Sequence, residues 1–82
     1  MLYADGNEAR VGDVVSIDEK YRGVVVGCID RGEYREPHTA EQWGYLGGGI
    51  VVDTDFGGLV HYQDQTSVDS EHMSLVSRAR DL

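Results

Sequence analysis

A chain of 82 residues leaves room for one compact domain, spanning 1–82, with a single small core. Such a chain is expected to bury only about 60–65% of the surface its unfolded form exposes, so cover from a partner or from another copy is a natural route to stability. Fifteen Asp and Glu against seven Lys and Arg give a net charge of −8, which opposes binding to a phosphate backbone and favours basic partners.

The N-terminal stretch MLYADGNEAR has neither the basic start nor the apolar run of a signal peptide, and the longest apolar runs are only Val24 to Val26 and Ile50 to Val52. No membrane segment is expected. The turn formers Asp5-Gly6-Asn7 precede VGDVVSI, which alternates with Val15 and Ile17 on one face and reads as the first strand. Asp18-Glu19-Lys20 follows as a polar turn. Arg22 to Ile29 is β-branched and punctuated by Gly23 and Gly27, with Val24, Val26 and Cys28 expected on one face and Val25 and Ile29 on the other.

Cys28, the lone cysteine, rules out an intramolecular disulfide and lacks a metal-ligand spacing, so it is expected in the core of a protein from a reducing, cytoplasmic setting. Its apolar neighbours give no electropositive setting for a nucleophile. Asp30 to Pro37 reads as a polar loop. Thr39 is then a good N-cap with Gln42 placed as in a capping box, and Ala40, Trp43 and Leu46 share one helical face. A helical turn anchored by Trp43 is expected, ended by Gly47 to Gly49.

Ile50 to Asp55 and Leu59 to Tyr62 flank Phe56-Gly57-Gly58 as a hairpin. Gln63 to Glu71 reads as a polar loop and Met73 to Arg78 as the last strand. The pattern predicts a mainly β fold, a small five-stranded barrel with one short helix between strands 2 and 3, with an open two-layer α+β sheet as the competing expectation.

GDVVSIDEKYRGVVVGCID, residues 12–30, resembles the opening hairpin of SH3-like barrels, with Gly-Asp leading into an apolar strand and Gly-x-Val opening the next. The middle, AEQWGYLGGGIVVDTDFGGLVHY, resembles small uncharacterised bacterial proteins whose fold is assigned as a variant of the Sm-like barrel. The Sm-like resemblance implies RNA binding in a ring. Its RNA pocket takes an Asp and Asn pair in the central hairpin and a basic residue followed by Gly, whereas this chain has Asp53 and Asp55, and Ser77-Arg78-Ala79. An RNA-binding oligomer is therefore the alternative rather than the leading expectation, and it would require Arg10, Arg22, Arg31, Arg35, Arg78 and Arg80 to gather on one face.

Asp53-x-Asp55 with Gly57-Gly58 and Asp64 matches part of a calcium loop, but the later positions fall in the strand LVHY. Both aspartates are expected on an exposed strand face. His38, His61 and His72 have no helical i, i+4 or tight strand spacing, so no metal site is expected; His61 alternates with Leu59 and would need a hydrogen-bond partner if turned inward. No nucleophile constellation, phosphate-cradling loop or paired-carboxylate cleft supports an enzyme or a cofactor.

SH3-like barrels take extended peptides in aromatic grooves, and acidic neighbours select basic ligands. Here Tyr21, Tyr34 and Tyr45 fall in or beside loops, with Asp18, Glu19, Glu33, Glu36 and Glu41 nearby in sequence. The expected contact set is Asp18, Glu19, Tyr21, Tyr34, Glu36 and Tyr45. The expected function is a non-enzymatic protein-interaction module, self-assembling through a strand edge or binding a basic partner, in its sharpest form an immunity- or antitoxin-like inhibitor. The competing expectation for the tyrosines is that they pack the helix onto the sheet with their hydroxyls at the surface.

Overall fold

The computed structural model describes residues 1–35 and 40–78. The first strand, β1 (Val14–Ile17), alternates as its sequence dictates, with Val15 and Ile17 buried. Asp18 and Glu19 both adopt the left-handed conformation (φ 53° and 59°), and the Lys20 N–H donates to the Ile17 carbonyl at 3.2 Å. Two successive left-handed residues match the twist of an antiparallel hairpin, and the chain turns directly into β2 (Tyr21–Cys28).

β2 is the spine of the sheet. It pairs with β1 from Val14↔Val24 to Ile17↔Tyr21 and, on its other edge, with β4 (Ile50–Thr54) from Gly23↔Thr54 to Cys28↔Ile50. A Cβ on Gly23 would lie 2.6 Å from Val52 Cγ1, so glycine lets neighbouring strands approach where the sheet curves. The β2–β4 register slips between Val25 and Gly27. This bulge corrects the expected alternation: the extra residue, Val26, flips the parity, and Val25 and Cys28 both join the core.

A 3-10 turn (Ile29–Arg31) and Gly32 (φ 66°) lead into β3 (Glu33–Tyr34), which pairs with Gly27 and Cys28 of β2 inside the expected polar loop. Among the described residues the strand count is thus six rather than five. The expected helix appears as α1 (Ala40–Trp43) and a 3-10 turn (Gly44–Leu46), ended by Gly47 at φ 80°. The expected N-cap, Thr39, lies outside the described residues, as does Glu36. β4 and β5 (Gly58–Tyr62) form the expected hairpin from Ile50↔Tyr62 to Thr54↔Gly58.

The loop expected after β5 holds a second helix, α2 (Gln65–Ser70), started by Asp64, whose carboxylate accepts from the Ser67 N–H at 3.0 Å. β6 (Ser74–Ser77) then returns to pair with β1 through Val15↔Leu75 and Ser16↔Ser74.

The strand order is β5-β4-β2-β1-β6, all antiparallel, with β3 attached to β2. Among the described residues no ladder joins β5 to β6, so the sheet is open. One face carries the core: Val15, Ile17, Val25, Cys28, Ile50, Val52 and Tyr62 pack with Tyr3, Ala9, Val68 and Met73 from the flanking segments. Each fully buried Val or Ile contributes about 1.5–3 kcal/mol, so this one cluster carries the fold. The N-terminal segment runs along β6, with Ala4 N–H donating to the Met73 carbonyl at 2.7 Å, and Gln65 of α2 accepts from the Leu2 N–H at 2.9 Å. No helix among the described residues is long and apolar enough to cross a membrane.

Candidate binding surface

The end of the sheet where β2 begins is exposed, Tyr21 and Arg22 included. There the β2–β4 ladder is continued by Asp55 N–H donating to the Arg22 carbonyl at 3.0 Å and Arg22 N–H donating to Asp55 Oδ2 at 3.2 Å. These bonds set the β4–β5 turn beside the β1–β2 turn. Tyr21 and Phe56 consequently meet, with ring centroids 4.8 Å apart and planes tilted by 52°, a favourable aromatic arrangement. Both stay open to solvent, Tyr21 at 40% and Phe56 at 47%. Asp18, Glu19, Asp53 and Asp55 are exposed in the two turns and on β4. On the outer face, opposite to the side that Tyr21 takes with its cross-strand partner Ile17, lies an open groove of about 300 Å³, floored by Val14, Gly23 and Val24 and rimmed by Arg22, Asp53 and Asp55.

Asp18, Glu19 and Tyr21 of the expected contact set therefore belong to one surface. Tyr34 and Tyr45 do not join them. Tyr34 sits on β3 against Gly27, six residues along β2 from Tyr21, a separation of about 20 Å at strand rise. Its hydroxyl lies near Gly44, next to Tyr45, which is 79% exposed. Phe56, in turn, is the partner sequence reasoning placed only in a turn. The available signal was that the turns β1–β2 and β4–β5 close on the same side of the sheet.

A second cleft of about 490 Å³ lies between Ala4, Asp5, Asp18, Glu19, His72 and Ser74. His72, like Asp18 and Glu19, is left-handed, at φ 49°. Asp5 is committed to backbone: it accepts from Asn7 N–H at 3.0 Å and from Leu75 N–H at 2.9 Å. Desolvation opposes its charge, but these donors outweigh it and hold its carboxyl below the usual value. Among the described residues no group of three or more His, Cys, Asp or Glu is arranged to hold a metal ion.

Arginines gather elsewhere and among carboxylates. Arg10 makes a bidentate pair with Glu33 at 3.0 and 2.8 Å, and Arg31 reaches Glu8 at 3.2 Å and Glu33 at 3.6 Å. The Arg10 hydrogen bonds hold the Glu33 carboxyl below its usual range. Arg22 stands at the opposite end of β2 from this group, and Arg80 lies outside the described residues.

Cys28 is fully buried with Sγ 3.6 Å from the Ala9 carbonyl, and burial pushes its thiol pKa up. His61 does not join the core, because it shares the outer face with Val51; its Nε2 lies 2.8 Å from the Gly48 carbonyl, a contact that requires the Nε2–H tautomer. His61 thus does not take the inward position its alternation with Leu59 suggested, and its partner is a glycine of the loop before β4. No family model matches the chain, and neither the search of curated proteins nor that of solved structures found a match.

Proposed function

We propose that this chain is a non-enzymatic protein-interaction module that engages a basic partner at the Tyr21–Phe56 end of its sheet. The observation that carries this reading is the exposed aromatic pair at the meeting of two turns that carry the exposed carboxylates of Asp18, Glu19 and Asp55. A guanidinium or ammonium over the rings would gain cation–π attraction, about 0.5–2 kcal/mol, with the carboxylates steering its approach.

The path β5-β4-β2-β1-β6 is read here as a variant of the SH3-like or Sm-like barrel, opened between β5 and β6 and extended by β3. On that reading the aromatic pair takes the place of a peptide groove. The sharper form is an immunity- or antitoxin-like inhibitor whose acidic surface masks the basic site of a toxin. The Sm-like RNA alternative has less support, because Arg10, Arg31 and Arg78 all lie against carboxylates.

Titration of the labelled protein with an arginine-rich peptide tests the proposal. Amide shifts should concentrate at Tyr21, Arg22 and Phe56, and Tyr21→Ala with Phe56→Ala should weaken binding at least about tenfold, or about 1.4 kcal/mol. Shifts confined to the Tyr34 and Tyr45 end, or tighter binding to single-stranded RNA than to the peptide, would overturn it.

A further inference from the structure

The two ends of the sheet are treated differently. At the β6 end the Ala4 N–H donates to the Met73 carbonyl at 2.7 Å and Asp5 Oδ2 accepts from the Leu75 N–H at 2.9 Å, so the N-terminal segment and one carboxylate cover that edge. At the β5 end, among the described residues, no backbone hydrogen bond reaches the strand from outside its ladder with β4. Alternate residues of β5 therefore turn N–H and C=O groups outward, where they form a template for strand addition.

We propose that β5 is a self-association edge: it pairs antiparallel with β5 of a second copy about a two-fold axis, giving a closed dimer with one continuous sheet. Charge selects this occupant. Copies of a chain with net charge −8 repel one another, yet the open strand reads Gly-Leu-Val-His-Tyr and carries no carboxylate or ammonium, nor the lysine or proline with which exposed edges are commonly blocked. An edge built for a basic foreign strand would instead carry acids of its own.

The register is self-complementary. Val60 falls on the two-fold axis, Gly58 lies opposite Tyr62, and Leu59 of one copy lies opposite His61 of the other, whose ring covers the 41%-exposed Leu59. A head-to-tail ring would have to pair β5 with β6 and first break the Ala4–Met73 and Asp5–Leu75 bonds, so the contact closes at two copies. Five residues per strand bury less than the 1,200–2,000 Å² typical of tight complexes, so the dissociation constant is expected to be about micromolar. The dimer does not depend on the basic-partner reading, and its test uses no ligand.

Sedimentation velocity of the full chain over a range of concentrations should show a reversible monomer–dimer equilibrium. Leu59→Glu places two carboxylates on one face across the axis, beside Asp53, and should weaken dimerisation at least about tenfold. Val76→Glu adds the same charge on the covered β6 edge, at a residue 45% exposed, and should leave the equilibrium unchanged. Thermal unfolding confirms that both variants fold, and the wild-type amides of residues 59–61 should gain exchange protection as concentration rises. A wild-type chain that stays monomeric, an assembly larger than a dimer, or equal weakening by the two variants would overturn the proposal.

Discussion

The Tyr3 hydroxyl donates a 2.6 Å hydrogen bond to Oδ2 of Asp13, a carboxylate with no solvent exposure. The same oxygen accepts from the Arg10 N–H at 2.9 Å and lies 3.6 Å from Arg78 Nη1, while Oδ1 has no hydrogen-bond partner among the described residues. One atom thus ties the N-terminal segment, the entry to β1 and the exit from β6 together.

Tyr3→Phe removes one of those donors without changing the volume of the ring. Loss of a buried hydrogen bond to a charged acceptor costs about 1–3 kcal/mol. Urea unfolding should therefore show a lower midpoint with an unchanged slope. A midpoint equal to that of the wild type would show that Arg10 and Arg78 suffice to hold the carboxylate.

Alkaline titration addresses the second buried phenol. Desolvation first, and the nearby Glu71 charge second, push the pKa of Tyr62 up from 10 to about 12. The folded state therefore keeps a proton that the unfolded chain releases. This contribution to stability is complete below pH 10 and is lost as the pH climbs from 10 towards 12. Tyr62→Phe has no proton to lose, so its unfolding midpoint should fall less than that of the wild type across this interval. An equal fall in both proteins would place the alkaline loss elsewhere, Tyr3 being the next candidate because burial and Asp13 also push its pKa up.

The strands were legible wherever one face met the core, as Val15 and Ile17 show, because period-two alternation is a local signal. β3 was not. Glu33 and Tyr34 have no alternation to display in two residues, and they pair only because the turn before them returns the chain to β2. α2 was hidden by its polarity: a single buried residue, Val68, fixes it to the core, and the informative residue was the N-cap Asp64. The candidate site was half legible for a similar reason. The Asp18, Glu19 and Tyr21 turn stands in the sequence as a unit, but its pairing with Phe56 depends on the β2–β4 register, as the Tyr3–Asp13 bond depends on where the N-terminal segment crosses.

The three glycines before β4 are distinguished by what surrounds them. Gly47 is left-handed at φ 80° with open space where a Cβ would stand, so Gly47→Ala meets only the backbone penalty, about 1–2 kcal/mol. Gly49 is left-handed at φ 90°, and a Cβ there would collide with the Tyr62 carbonyl oxygen and lie 2.9 Å from that of Gln63. Both are backbone atoms at the end of β5, held by the Ile50↔Tyr62 pairing, and cannot step aside as a flexible side chain would. Gly49→Ala should therefore add an overpacking penalty to the conformational one and cost at least about 3 kcal/mol. The Ile29 N–H to Gly49 carbonyl bond, 2.9 Å, and the His61 to Gly48 bond should loosen with it. Denaturant unfolding of the two variants, with exchange at the Ile29 amide, measures the difference. Equal destabilisation by both would mean that left-handed geometry alone dictates the glycines, and that the close approach to β5 does not.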